Sequence, residues 1–359
     1  MNSPKTVNIF DLSYAELENI LLQTGEPRYR ALQVWQGLYH QLWVKADSFT
    51  NLPQNLREKI NLTFSQEFSG NLSGLLPVAT MVSRDGNTQK ILFQLSDGRL
   101  IETVLMCYEK RRTLCISTQS GCAMGCTFCA TGQMGFGRNL SSGEIVEQVL
   151  YFARHLAARQ EKVTNVVLMG MGEPFHNYEA TMAAIDRLSD QQGFNLGERR
   201  FTISTVGVVP AIRRFAAEHR QVNLAVSLHA AENHLRSSML PINRKYPLET
   251  LMEACREYIA VTHRRISFEW ALIKDVNDTP EQAEKLARLL KGLQHNGVLL
   301  AHVNAIPLNP TQQFQGKAAD RKRAEQFKSI LESHGIACTI RMRRGIEIQA
   351  GCGQLAGHQ

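Results

Sequence analysis

No run of about 18 uncharged apolar residues occurs in this 359-residue chain, so no transmembrane helix is expected. Low-complexity tracts and sequence repeats are missing too, and neither a disordered stretch nor a repeat array is expected. The amino terminus, MNSPKTVNIFDLSYAELENILL, has acidic residues where a secretory signal would be apolar, and it reads as mature, cytoplasmic sequence. One further absence is local. GCAMGCTFCATG (121–132) packs Cys122, Cys126 and Cys129 into eight residues but offers no fourth cysteine. A tetrahedral zinc site wants four ligands, and its usual pair of Cys-x2-Cys knuckles is not present.

What is present is ordinary for a folded protein. Apolar residues make up 43% and charged residues 20%, enough for a full core in one large domain or two. The formal net charge is +7, and arginines recur in pairs: Arg111-Arg112, Arg199-Arg200, Arg213-Arg214, Arg264-Arg265 and Arg343-Arg344. A basic surface favours polyanions such as RNA, although many proteins reach this charge without binding one. Eight cysteines in a long chain with no secretory signal point to metal binding or catalysis rather than disulfides.

The pattern along the chain predicts a helical N-terminal domain over residues 1–75. There Ser13 and Glu16 have capping-box spacing. A short β segment follows over 76–107, with turns at Arg-Asp-Gly and Ser-Asp-Gly. From residue 108 to 345, apolar strands alternate with helices. The strands are read at 113–118, 165–172, 200–207, 222–230, 266–273 and 297–308. The helices include 142–160, capped by Ser141 and Glu144, and 279–293, with Thr279 as N-cap and Pro280 at the first helical position. Six β–α units predict a parallel α/β domain, a partial (β/α)6 barrel or else a doubly wound sheet. Chemistry belongs where such strands end. The unusual residues fall there, and a tail over 346–359 carries Cys352.

Three thiolates on a glycine-containing loop suit an iron–sulfur cluster better than zinc, and they leave one iron open. Cys-x3-Cys-x2-Cys, with Phe128 before the last cysteine, resembles the signature of the radical S-adenosylmethionine (SAM) superfamily. The resemblance implies a [4Fe-4S] cluster on Cys122, Cys126 and Cys129, SAM chelated at the open iron, a 5′-deoxyadenosyl radical as product of its reduction, and the partial-barrel fold. LMGMGEPFHN, TISTVGVVP, VSLHA and NAIPLNP resemble that superfamily's SAM-contacting segments. They nominate Gly172, Glu173, Ser204, Ser227, Leu228, His229 and Asn309.

The segments TLCISTQSGC and GIEIQAGCGQLAG are similar to those of the RlmN/Cfr methyltransferases, which modify an adenosine of 23S rRNA, and the similarity runs along nearly the whole chain. It implies that Cys352 takes a methyl group from one SAM and that a second SAM supplies the radical that activates this methyl. Cys115 then releases the product through a transient disulfide, and Glu102 accepts the ring proton. It also implies methylation at C2, with C8 as the alternative, tRNA adenosine 37 as a further substrate, RNA contacts from the N-terminal helical domain, the arginine pairs and Arg341, and a reductant such as flavodoxin or ferredoxin; nothing in the residues points to an oligomer, and a monomer is expected. Two other readings stay open on the residues alone. One is a radical SAM enzyme acting on a small molecule or peptide, and the other is an RNA-binding module with a structural metal. Without the resemblance, Cys115 reads as a core cysteine, Cys352 as a tail thiol and Glu102 as a strand carboxylate. Cys255 and Cys338 read as packing residues, and Cys107 has no assignment.

Overall fold

In a computed structural model, residues 7–357 are described. The first six residues of the amino terminus read above, and the last two of the tail, lie outside them. The chain opens with helices α1 (Tyr14–Gln23), α2 (Tyr29–Tyr39) and α3 (Gln54–Phe64). The Ser13–Glu16 capping box forms as its spacing predicts.

Three antiparallel strands follow: β1 (Leu75–Val82), β2 (Thr88–Leu95) and β3 (Leu100–Cys107). β3 pairs antiparallel with β4 (Arg112–Cys115), so the sheet continues without a break from the β segment into the barrel. β5 (Gln119–Gly121) and β6 (Phe136–Asn139) form a separate hairpin around the cysteine loop, which holds the short helix α4 (Ala130–Gln133).

The alternating part then runs α5 (Ser142–Ala157), β7 (Asn165–Leu168), α6 (Tyr178–Ser189), β8 (Phe201–Thr205), α7 (Val209–Ala217) and β9 (Asn223–Ser227). Two helices, α8 (Asn233–Met239) and α9 (Leu248–Thr262), lead to β10 (Ile266–Leu272) and α10 (Pro280–Lys291). A tight hairpin, β11 (Gln294–His295) and β12 (Val298–Leu299), precedes β13 (Ala301–Pro307), α11 (Arg321–Ser333) and β14 (Ala337–Ile340). The ten-stranded sheet has the order β1-β2-β3-β4-β7-β8-β9-β10-β13-β14. From β4 to β14 every neighbouring pair is parallel.

The six strands read in the sequence are there, and β14 adds a seventh parallel strand. This is the radical SAM type of α/β fold, with its small helical N-terminal region. Two differences have physical causes. The predicted strands 165–172 and 222–230 ran too far, because the chain stays apolar after it leaves the ladder to line a cavity. β14 holds Cys338 and Ile340 at the alternation that marks a short strand, but it is short and half-exposed and does not read as one of the β–α units.

Among the described residues the sheet ends at β14, which has no strand paired on its far side. Residues 341–357 run from that edge back to β2, β3 and the cysteine loop. Along this tail Arg344 donates to Cys107 O (3.3 Å) and Lys90 Nζ to Gln349 O (3.3 Å), while Ala356 N donates to Glu102 Oε2 (2.8 Å).

The N-terminal helices are fastened to the barrel at the start of α5. Gly143 N donates to Asp11 Oδ1 (2.6 Å), and Asn8 Nδ2 donates to Glu147 Oε1 (2.8 Å). Gly74 N (2.9 Å) and Ser73 Oγ also donate to Glu147. Burial pushes this carboxyl up to about 7, against these hydrogen bonds. The fold therefore prefers the protonated form. That contribution is full below the unfolded value of 4.5 and is lost as pH rises through about 7. Between pH 5 and 8, the native chain should lose about 2 kcal/mol of stability relative to Glu147→Gln. Urea midpoints of both proteins at the two pH values measure this, and parallel losses would show that Glu147 does not titrate in that window.

Candidate active site

The cysteine loop leaves β5 at Gly121, whose φ of +79° and close approach to the Gly135 carbonyl admit only glycine. Cys122 N donates to Gly135 O (2.8 Å), and Cys129 N donates to Cys126 O (3.2 Å), which turns the loop back on itself. Cys122 and Cys126 are buried, and Cys129 is half-buried at the start of α4. Burial pushes the Cys122 thiol up to about 12 and the Cys126 thiol well above its ordinary range, and the nearby thiols add to both. Arg236 works the other way on Cys126. It is fully buried and ties the ends of β8 and β9 together, donating to Val206 O (2.6 Å) and Leu228 O (3.1 Å).

Next to this loop lies a cleft of about 870 Å³, the solvent at its opening included. It is lined by Cys126, Cys129, Gly172, Glu173, Ser204, Ser227, His229 and Asn309, among others. Apart from the two cysteines, which belong to the loop after β5, these residues come from the carboxyl ends of β7, β8, β9 and β13 and from the loops that follow. Gly172 has φ +103°, and a Cβ there would lie 2.6 Å from Gln119 Cβ. Glu173 accepts from Phe175 N (3.0 Å) and Val206 N (2.9 Å), and burial pushes it up to about 7. Ser204 Oγ and Ser227 Oγ are 3.4 Å apart. His229 Nδ1 accepts from Ala271 N (2.9 Å), and burial lowers its pKa to about 3. The ring is therefore neutral with its proton on Nε2. Its edge packs on Phe128, 4.9 Å between centroids. Asn309 Nδ2 donates to Cys352 O (3.1 Å), while its Oδ1 is buried without a partner.

A second cleft of about 1190 Å³ reaches from the barrel interior to its open side. Cys115, Thr113, Asn165 and Thr202 line its inner part, and Tyr108, Arg111, Arg341, Arg343 and Arg344 its mouth. Cys352, Met169, Glu269, Ile306 and Asn309 line both clefts. Cys352 is open to solvent-sized space yet enclosed by protein mass, because it faces an internal cleft. That enclosure, with the Glu269 charge, pushes its thiol up to about 11. Cys115 is shifted upward as well, first by burial and then by Cys352.

The structure thus brings every predicted site residue to one of the two clefts except three, of which Cys122 sits on the cysteine loop but lines neither cleft. Leu228 is fully buried behind the first cleft, where its N donates to Glu269 O (3.1 Å). Glu102 lines neither cleft. It is 1% exposed and paired with Lys90 at 2.7 Å. Cys255 and Cys338 are core residues as read, and Cys107 sits half-buried at the end of β3, its carbonyl taken by Arg344.

Sequence reasoning missed Glu269, whose Oε1 accepts from Asn304 Nδ2 (2.7 Å). Its one signal was a charge inside the apolar run ISFEWALI. It also missed Gln119, which accepts from Glu173 N (2.8 Å), and Asn277, which holds His229 O (2.8 Å).

A parallel half-open barrel with a three-cysteine loop at the carboxyl ends of its strands defines a radical SAM protein. Residues 116–294 match the model of the Radical SAM superfamily, and residues 7–65 match that of the Ribosomal RNA large subunit methyltransferase N-terminal domain. The chain is 47% identical to the probable dual-specificity RNA methyltransferase RlmN of Chloroflexus aurantiacus, over 97% of this chain and 92% of that one. It is also 47% identical to the dual-specificity RNA methyltransferase RlmN 1 of Myxococcus xanthus, over 99% and 96%. The crystal structure of a radical SAM methyltransferase from Sphaerobacter thermophilus superposes with a TM-score of 0.93 at 48% identity, covering 98% of this chain and 100% of that one. The chain belongs to the RlmN family.

Its superfamily uses a [4Fe-4S] cluster and SAM, and the residues present suit both. Among the described residues no three His, Cys, Asp or Glu side chains are close enough to share one metal ion. A cube of four irons asks for something else, thiolates spread over separate corners. The cleft beside the loop offers a buried carboxyl at Glu173 and an unpartnered acceptor at Asn309 Oδ1, apt for a ligand that carries ammonium and amide-like donors. No helix among the described residues is long and apolar enough to cross a membrane.

Gly172→Ala should weaken SAM binding about tenfold, through strain of about 1–3 kcal/mol at a positive φ, and leave the brown cluster absorption in place. Equilibrium SAM binding to the reconstituted protein measures this. An unchanged Kd would show that the Gly172 turn is not part of the SAM site.

Proposed function

We propose that this chain is an RNA methyltransferase that places a methyl group on C2 of an adenosine in 23S rRNA, and on adenosine 37 of some tRNAs, through S-methylation of Cys352. The observation that carries the proposal is the position of Cys352 on the wall shared by two clefts, with Cys115 in the second. A ring carbon of adenine is not nucleophilic, so it cannot take a methyl group from SAM by direct displacement. A thiolate can. A sulfur that borders both clefts can be loaded from one and unloaded into the other.

In this reading Cys122, Cys126 and Cys129 hold the cluster. Gly172, Glu173, Ser204, Ser227, Leu228, His229 and Asn309 shape the SAM site, Leu228 through its backbone. When bound, the cluster and SAM supply a carbon radical able to take hydrogen from the methyl on Cys352. Two SAM molecules are consumed per turnover, the first as methyl donor. Cys115, which lines the second cleft with Cys352, attacks the Cys352 sulfur: an S–S bond forms, the bond from that sulfur to the RNA-bound methylene breaks, and the carbon keeps the electron pair and takes a proton, which frees the methylated product. Glu102 accepts the ring proton, and because Ala356 N occupies its Oε2, it does so once the tail has shifted. A small reductant protein such as flavodoxin or ferredoxin provides electrons, and the chain acts as a cytoplasmic monomer.

The mouth of the second cleft suits RNA. Arg111, Arg341, Arg343 and Arg344 line it and have no carboxylate partner among the described residues. Tyr108 lies between the guanidinium groups of Arg111 (5.0 Å) and Arg344 (4.5 Å). A reacting base must leave its stack, and a side opening flanked by cations can receive it.

Cys352→Ala should abolish methylation of 23S rRNA while cluster absorption persists. Nucleoside mass spectrometry after incubation with SAM and reductant reads the product and separates 2-methyl- from 8-methyladenosine. Methylation at the native rate would remove the carrier role. Arg343→Glu with Arg344→Glu should weaken RNA binding and reduce the salt slope by roughly two. An unchanged slope in a salt titration would place the RNA elsewhere.

A further inference from the structure

Lys90 has no part in the chemistry above, yet it is one of the least exposed charges in the protein. It lies on β2 and Glu102 on β3. Lys90 faces Val104 and Leu92 faces Glu102, so the two charges sit diagonally on one face of the antiparallel pair. Nζ and Oε1 are 2.7 Å apart, and the side chains are 4% and 1% exposed. Taking two charges out of water costs much of what their attraction returns, and apolar residues of similar volume often stabilise such a place as well or better. A buried pair of this kind is better explained by what it holds.

Each partner has one further hydrogen bond, and both go to the same segment. Lys90 Nζ donates to Gln349 O (3.3 Å), and Glu102 Oε2 accepts from Ala356 N (2.8 Å). Cys352 lies between these two grips. The segment has little stiffness of its own, with Gly351 and Gly353 on either side of the thiol and Gly353 at φ +80°. Its inner contacts are to the loop after β13 and to the short helix α4, neither of them part of the ten-stranded sheet: Asn309 Nδ2 to Cys352 O (3.1 Å), Ala130 N to Gly353 O (2.7 Å) and Thr131 Oγ1 to Leu355 O (2.6 Å). The Lys90–Glu102 pair is what connects it to the sheet.

We infer that Lys90 is a positioning residue for the methyl carrier: with Glu102 it staples both ends of segment 349–356 to β2 and β3, and so holds the Cys352 thiol on the wall between the two clefts. This rests on the reading of Cys352 as carrier. The staple also couples two events. While the tail is down, Ala356 N occupies Glu102 Oε2. When the tail lifts, the thiol gains reach and the carboxylate loses that donor in the same movement, while Lys90 remains beside it.

The test is site-resolved labelling of the cluster-loaded, full-length protein with iodoacetamide, read by peptide mass spectrometry, with buried Cys255 as the internal reference. Lys90→Met should raise the labelling rate of Cys352 about tenfold, as expected for losing a hydrogen bond from a charged donor. Lys90→Arg should return it to within about twofold of the native rate. The double variant Lys90→Met with Glu102→Leu should match native thermal stability, because the pair becomes apolar, and still label Cys352 fast. A native rate in Lys90→Met overturns the inference. So does a native rate in the double variant, which would make the pair mere packing, and so does a parallel rise at Cys255, which would mean general loosening. Labelling does not depend on methyl transfer, so the Cys352→Ala activity assay tests the carrier reading separately.

Discussion

Because β14 has no strand beyond it, the barrel is left open along one side, and the chain covers that side with its own tail. Most features of the site follow from this constraint. A closed eight-stranded barrel has an interior filled by side chains, and ligands reach only its end. Here the interior is accessible both at the carboxyl ends of the strands and from the side, and these two openings become the two clefts. Glu269 and Ile306 line both, on β10 and β13, which lie next to the open edge of the parallel run. The tail is the remaining wall. That is why a residue remote from the barrel in sequence, Cys352, can face both spaces.

Charge is sorted by the same geometry. Arg112 is paired with Glu161, Arg213 with Glu257 and Arg214 with Glu179. These exposed pairs add little stability, but they cancel much of the attraction their arginines would have for a polyanion. The arginines at the mouth of the second cleft are left uncancelled. The N-terminal helical region does not share in this. Residues 7–65 hold six carboxylates against five lysines and arginines, so the net charge of +7 is carried elsewhere. An RNA-binding role for those helices would have to work through shape, whereas the cleft mouth has both charge and depth.

Features that depend on neighbouring residues were legible in the sequence. The capping boxes at Ser13–Glu16 and Ser141–Glu144, and Thr279 before Pro280, formed as their spacing predicts. So did six parallel strands, since their apolar runs need no knowledge of partners. The ends of those strands were not legible. Met169 and Leu228 are as apolar as the ladder residues before them, and only tertiary hydrogen bonding shows where the ladder stops. Glu269, Gln119 and Asn277 were invisible for a related reason. Each is fixed by hydrogen bonds to residues distant in sequence, among them Asn304, Glu173 and His229 respectively, that no local pattern encodes. Glu102 was found by its motif, but its surroundings were not. Periodicity made it a strand carboxylate with no partner, and the fold gives it two.

The thiols raise a last question of chemistry. Burial raises Cys122, Cys126, Cys115 and Cys352 alike, and at about 11 only about one Cys352 in ten thousand is ionised in neutral water. Left to itself such a sulfur is a poor nucleophile. Its neighbours pull in opposite directions, Glu269 raising the thiol and Arg341 lowering it. A sulfonium in the adjoining cleft would add a positive charge where the dielectric is low, and so favour the thiolate at the moment a methyl donor is present. Iron at the three-cysteine loop works in the same sense, since a metal displaces the proton that burial holds on. Burial then makes these thiols selective. Because burial raises all four, a cation beside Cys352 or at the cysteine loop would decide which of them ionises.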